Sequence, residues 1–227
     1  MPTAVRWGVP AILCLAAAGL AALSWVRLPR PTPAGRGAAL AHELGCFACH
    51  GDGGRGGVAN PGSDEKEVPA WDGGMLMMYA ESVDDIRDWI LHGEPRRERE
   101  DEDPQHGSGH DHGEHSPEPG LSATLPLEMP AFEGRISEGE LEDLTAFVLA
   151  VSEWKLPEDA LARQGHRLAR ELGCFGCHGA MGLIGSPNDG SFKGVIPPWA
   201  GADFRELVRD DDELRELVRL GRNIERH

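Results

Sequence analysis

A five-residue segment occurs twice in this chain and limits what it can fold into. Residues 46–50 read CFACH, and residues 174–178, 128 positions later, read CFGCH. Two thiols at this spacing can form thioethers to one haem, and the next histidine can bind its iron as the proximal ligand. Zinc or redox C-x-x-C sites are the alternative, which the histidine after both pairs disfavours. The sequence therefore predicts two covalently bound haem c groups, attached through Cys46, Cys49, His50, Cys174, Cys177 and His178.

The composition agrees with a fold that needs such a cofactor. Only 6% of the 227 residues are aromatic, whereas 30 are glycine and 17 are proline, so the chain has little side-chain surface for a large core. Small domains of this kind usually need a staple, and a bound haem provides a large apolar plane. The formal net charge of −16 argues against nucleic acid as a partner. It favours redox protein partners with basic docking surfaces.

The duplication extends well beyond the five-residue segments. Residues 36–45 match 164–173 without a gap, and VPAW at 68–71 matches IPPW at 196–199. Ser82 and Asp210 are predicted helix N-caps, each with an acid three residues later, and Gly93 and Gly221 are predicted helix ends. Each copy thus contains a helix, the cysteine motif, a glycine-rich loop, a Pro-Trp segment and a second helix. A repeat of this length indicates two tandem domains.

The first copy continues for another sixty residues or so. Residues 125–132 read LPLEMPAF, a loop flanked by prolines, and a helix is predicted to begin near Ser137 with Glu140 as its capping-box partner. The apolar residues that follow have helical spacing, which predicts a face packed against the core.

Together these segments resemble the class I cytochrome c family. The resemblance implies an all-α fold in which the helix before the C-x-x-C-H motif crosses a terminal helix at a glycine–aromatic contact, here Gly37 and Phe147. It also implies that Met129, in the proline-flanked loop, is the sixth iron ligand. His50, Met129 and His178 are then the predicted metal ligands. Weaker candidates for the sixth position are Met75, Met77, Met78 and His92.

Within the given sequence, the second copy has no match to the Met129 loop or to the helix predicted near Ser137. A match to Met129 would fall near position 257, so we expect the second domain to be incomplete and its haem to lack a sixth ligand from this region. Met181 is too close to His178 to reach the opposite haem face, and His227 is a weak candidate. A five-coordinate iron, or a ligand supplied by a partner, is the alternative.

The N-terminal segment predicts export and membrane attachment. Val9–Val26 contains no charged residue, and Arg6 precedes it, as is common on the cytoplasmic side of an anchor. A cleaved secretory signal is the alternative. Residues 28–35, with three prolines, are predicted to form a short stiff tether. The haem domains would then face the periplasm or exterior of a bacterial cytoplasmic membrane.

An acidic insertion interrupts the first copy at about 95–120. This composition predicts a solvated loop, although its histidines could bind a transition metal weakly. The histidines are His106, His110, His112 and His115.

These observations predict an anchor and tether over 1–34, a first cytochrome c-like domain over 35–155, and a second, incomplete one over 156–227. The predicted protein is a membrane-anchored dihaem cytochrome c that carries single electrons between respiratory partners. We expect an electron carrier rather than an enzyme. The alternative is an electron-transfer subunit of a multi-subunit oxidoreductase complex.

Overall fold

The computed structural model of the protein describes residues 8–63, 65–93 and 126–221. Apart from two short strands, the regular structure in this part of the chain is helical, which confirms the prediction of a mainly helical fold. Strands β1 and β2 pair antiparallel, with Ser186 opposite Ile196. Short 3₁₀ turns occur at Asp52–Gly54, Leu76–Met78 and Ala180–Gly182. The elements are α1 (Gly8–Arg27), α2 (Pro33–Glu43), α3 (Phe47–His50), α4 (Val83–His92), α5 (Glu138–Val151), α6 (Ala160–Glu171), α7 (Cys174–His178), β1 (Ser186–Pro187), β2 (Val195–Ile196), α8 (Gly201–Leu207) and α9 (Asp211–Leu220).

The chain divides into two compact units. The first, here called the central unit, comprises residues 33–163. The second, called the split unit, combines residues 1–32 with residues 164–227. The central unit contains the first C-x-x-C-H segment, and the split unit contains the second.

Local sequence signals set the ends of several helices. The Ser82 hydroxyl accepts a hydrogen bond from the Asp85 amide at 3.2 Å, and the Asp85 carboxylate accepts one from the Ser82 amide at 2.8 Å. Ser137 and Glu140 form the same capping box at the start of α5. These reciprocal bonds satisfy amides that the first helical turn leaves without partners. Both predicted N-caps of the central unit are therefore confirmed.

The corresponding helix in the split unit has matching ends. Asp210 accepts a hydrogen bond from the Glu213 amide at 2.9 Å. Gly93 and Gly221 follow α4 and α9 with φ of +80° and +71°. Glycine adopts this left-handed conformation without the steric penalty that a Cβ brings, so it ends a helix readily.

The core of the central unit is built around the crossing of α2 and α5. A Cβ added to Gly37 would lie 1.9 Å from the carbonyl oxygen of Asp143 and 2.8 Å from Cβ of Phe147. Only glycine permits so close an approach of the two backbones. Arg36 fixes the crossing with a bidentate ion pair, with Nε and Nη2 at 2.7 and 2.6 Å from the Asp143 carboxylate. The predicted contact between Gly37 and Phe147 is confirmed.

The N-terminal apolar stretch forms a helix. Helix α1 covers the apolar stretch Val9–Val26, for which a membrane-spanning helix was expected. Yet a search of the described residues finds no helix of sufficient length and apolar character to cross a bilayer.

The segment after α1 takes part in the split unit. Arg30 donates to the Asp203 carboxylate from its backbone amide at 2.8 Å and from Nε at 3.2 Å. Lys193 donates to the same carboxylate at 2.6 Å and to Glu206 at 2.6 Å. Asp203 is only 2% exposed. The stretch predicted as a tether thus contributes one cation to a buried ion-pair network.

We expect Gly37→Ala to destabilise the central unit by about 3 kcal/mol, because its Cβ would overlap the Asp143 carbonyl oxygen. The aligned glycine of the second copy is a matched control, since no described atom lies within 4 Å of a Cβ at Gly165. Gly165→Ala should raise the stability of α6 by up to about 1 kcal/mol through helix propensity. Denaturant unfolding of the two variants checks both values. Equal effects of the two substitutions would contradict the proposed role of the crossing.

We also expect the split unit to lose stability in acid through Asp203. Burial alone raises the pKa of Asp203, but the hydrogen bonds and charges of Arg30 and Lys193 outweigh it, and the net pKa is below the ordinary 3.8. Because the folded pKa is the lower one, the contribution is complete above the unfolded pKa and is lost as the pH falls through the folded pKa.

The isosteric Asp203→Asn variant provides the comparison for this acid effect. It should cost about 3 kcal/mol at neutral pH, because it removes one side of a buried ion pair. It should also show a smaller further loss in acid than the wild type. Stability profiles measured by denaturant unfolding across this range provide the test, and parallel profiles for the two proteins would contradict it.

Candidate functional site

The first C-x-x-C-H segment forms a single helical turn. Cys46 lies directly before α3 with helical backbone angles, and Cys49 and His50 lie within α3. Neither cysteine is in a disulfide, and both are half-buried. Burial raises the pKa of the Cys46 thiol. Residues three apart on a helical turn face the same side, so both thiols are available on one face.

A backbone carbonyl holds the imidazole of His50. The Nδ1 atom lies 2.9 Å from the carbonyl oxygen of Pro69. A carbonyl can only accept a hydrogen bond, so Nδ1 carries the proton and Nε2 keeps its lone pair. Burial lowers the pKa of His50, and the hydrogen bond to Pro69 opposes this effect only in part. The lowered pKa favours the neutral ring. A neutral imidazole with Nε2 unprotonated is the form that binds a metal.

Aromatic rings enclose this turn. The ring of Trp71 lies 4.7 Å from the ring of His50, centroid to centroid. Phe47 and Phe147 contact Trp71 edge-on at 6.2 and 5.7 Å. Trp71 also packs on Gly54, where a Cβ would lie 2.1 Å from its ring and where φ is +79°. The residues on the proximal side therefore provide what a covalent haem needs, namely two thiols, a fixed neutral imidazole and an apolar wall.

The second C-x-x-C-H segment repeats this proximal arrangement within the split unit. Cys174, Cys177 and His178 lie on α7. The His178 Nδ1 atom is 2.8 Å from the Pro197 carbonyl oxygen, and its ring lies 5.1 Å from Trp199. The glycine under the tryptophan is also repeated, since a Cβ at residue 182 would lie 2.3 Å from the ring of Trp199.

Met129 lies in an irregular segment that follows the insertion. Its side chain is half-buried. The segment is anchored after Met129 by Phe132, whose amide donates to the Leu91 carbonyl at the end of α4 at 3.0 Å. A Cβ on Gly93 would lie 2.4 Å from the Met129 carbonyl oxygen, so the loop packs directly on the glycine that ends α4. The loop predicted to carry the sixth ligand is therefore packed in the unit that holds His50.

Sequence reasoning missed a residue that anchors the same segment before Met129. Asn60, which is 5% exposed, makes two side-chain hydrogen bonds to the backbone of Leu127. The repeat could have drawn attention to this position, because an asparagine recurs 128 residues later as Asn188.

The other candidates lie at the surface or outside the described residues. Met77 and Met78 are 47% and 75% exposed, and the ring of His92 faces Glu133 at 3.7 Å. Met75 is half-buried beside the 3₁₀ turn. The acidic insertion with its four histidines lies outside the described residues, as does His227.

Comparison with known families gives one match. The family model described as "Cytochrome c" matches residues 34–152, which is more than half of the chain and includes the first C-x-x-C-H segment and the Met129 loop. No curated protein and no solved structure is significantly similar to the chain.

Proposed function

The chain belongs to the cytochrome c family, and from this premise we propose that it is a dihaem carrier of single electrons. Family membership supports covalently bound haem c and a role in electron transfer rather than catalysis. The number of haems goes beyond the family match, which ends before the second motif.

The observation that carries the dihaem proposal is the repeated proximal geometry. In each copy, the histidine donates from Nδ1 to a proline carbonyl nineteen residues later. In each copy, a tryptophan two residues after that proline packs on the histidine ring and on a glycine. If the five-residue segment recurred only by chance, the proline, tryptophan and glycine contacts around it would not be expected to recur as well.

The protein residues would hold and tune the cofactor. Cys46 and Cys49 would attach one haem and Cys174 and Cys177 the other. His50 and His178 would be the proximal ligands, each oriented by its Nδ1 hydrogen bond. The bound iron supplies the one-electron couple. Met129 would take the sixth position of the first haem, where a thioether raises the reduction potential and leaves no position for substrate.

Two haems per chain are expected in the exported protein, measured as covalent mass added to the denatured polypeptide. The double variant Cys174→Ala and Cys177→Ala should retain one haem, and the matched variant Cys46→Ala and Cys49→Ala should retain the other. Alanine removes the thioether positions with little other change. A wild-type chain with one haem, lost only with the first cysteine pair, would contradict the dihaem proposal.

We further propose that the protein works on the outer side of a bacterial cytoplasmic membrane, passing electrons between respiratory redox proteins with basic docking surfaces. The support is the attachment chemistry of haem c, which requires export, the apolar N-terminal segment, and the net charge of −16. Fractionation of cells that express the protein tests the location. Haem-bearing protein confined to the cytoplasm would contradict it.

The charge argument predicts opposite salt effects with small acceptors of opposite charge. Oxidation of the reduced protein by cationic tris(phenanthroline)cobalt(III) should slow as ionic strength rises, because screening weakens attraction to the acidic surface. Oxidation by anionic ferricyanide should accelerate over the same range. Stopped-flow rates measure both effects, and the same direction of change for both acceptors would contradict electrostatic docking.

A further inference from the structure

Asn60 is a buried amide that pairs with both backbone groups of one residue. The amide of Leu127 donates to Asn60 Oδ1 at 2.8 Å, and Asn60 Nδ2 donates to the Leu127 carbonyl at 3.1 Å. These two bonds join positions 67 residues apart in the sequence. Leu127 lies two residues before Met129, so Asn60 holds the backbone immediately before the predicted sixth ligand.

The loop that carries Asn60 also carries the acceptor for His50. The Asn60 amide donates to the Lys66 carbonyl at 2.7 Å, and the Val68 amide donates to the Val58 carbonyl at 2.8 Å. These bonds join the two ends of the loop, and the residue after Val68 is Pro69, whose carbonyl accepts from His50. This loop therefore serves both predicted axial ligands of the first haem. Pro69, at its end, accepts the hydrogen bond from His50, and Asn60 holds the backbone before Met129.

In the second copy the matching asparagine, Asn188, has the same backbone hydrogen bond but a different side-chain partner. The Asn188 amide donates to the Gly194 carbonyl at 2.7 Å, which repeats the backbone bond of Asn60. Its side chain, however, is exposed and accepts a hydrogen bond from the Gly190 amide at 3.2 Å. The loop therefore folds without an asparagine that reaches across to another segment. The two side-chain bonds of Asn60 serve the Leu127 segment rather than their own loop.

We propose that Asn60 is a positioning residue for Met129, acting through its two hydrogen bonds to the Leu127 backbone. This inference rests on the proposed function, in which Met129 is the sixth ligand of the first haem. The Met129 segment is held on one side by Asn60 and on the other by the end of α4. Removing the first support leaves the Leu127 amide and carbonyl without protein partners and lets the segment move away with its methionine.

Asn60→Leu tests the proposal, with Asn188→Leu as the matched control. Leucine has the same number and branching of side-chain heavy atoms but neither donates nor accepts a hydrogen bond. In the haem-loaded full chain, Asn60→Leu should raise the affinity of imidazole at the first haem by roughly tenfold or more. It should also weaken the long-wavelength thioether-to-iron absorption band, while covalent haem content stays unchanged. Asn188→Leu should change neither readout, and equal results for the two variants would overturn the proposal.

Leu127→Pro provides a second variant that leaves Asn60 intact. Proline has no amide hydrogen to donate to Asn60 Oδ1 but keeps the carbonyl that accepts from Asn60 Nδ2, and the side chain that it replaces is 50% exposed. It should shift imidazole affinity in the same direction as Asn60→Leu but by less. If Asn60→Leu does not fold, Leu127→Pro decides the question, and an unchanged imidazole affinity then overturns the proposal.

Met129→Ala separates this inference from the proposed function on which it rests. The variant should lose the thioether band completely and set the imidazole affinity of a first haem without its sixth ligand. A wild type that already matches Met129→Ala would contradict the assignment of Met129 and this inference with it. A wild type with the band, and an Asn60→Leu variant that keeps it in full, would contradict the role of Asn60 alone.

Discussion

The crossing of α2 over α5 is the contact on which the rest of the central unit depends. The Asp143 carbonyl oxygen occupies the place where any residue other than glycine at position 37 would have its Cβ. Because α2 leads directly into the C-x-x-C-H turn, this crossing fixes where that turn begins. Because α5 carries Phe147 against Trp71, it also fixes the apolar wall beside His50. A shift of either helix would move both.

In the split unit the proximal contacts recur, although the described residues there include no such crossing. Gly165 keeps the small residue of the aligned position, yet no described atom lies within 4 Å of a Cβ there. Nevertheless His178, Pro197 and Trp199 reproduce the contacts of the first copy. All of these residues lie between 174 and 199, so the arrangement follows from one continuous stretch of chain. The distal support, by contrast, comes from residues distant in sequence.

This difference explains how much of the site could be predicted from the sequence. The haem-attachment residues could be predicted because their chemistry depends on a spacing of three. The capping boxes at Ser82 and Ser137 could be predicted because both partners lie within one helical turn. The resemblance to a family supplied the crossing of Gly37 and Phe147, which spacing alone does not give. The membrane anchor stays a prediction, since no helix among the described residues is long and apolar enough to cross a bilayer.

The sequence by itself determined the two attachment motifs, the repeat, the helix ends and a mainly helical fold, since each depends on residues close together along the chain. Only the tertiary structure decided which buried polar groups pair across the fold. It brought Arg30 to Asp203 over 173 positions and Asn60 to Leu127 over 67. A polar side chain that is buried must find a hydrogen-bond partner, but the sequence does not say where that partner lies. The two C-x-x-C-H motifs were therefore evident in the sequence, whereas the hydrogen bonds that hold the Met129 segment became visible only in the folded chain.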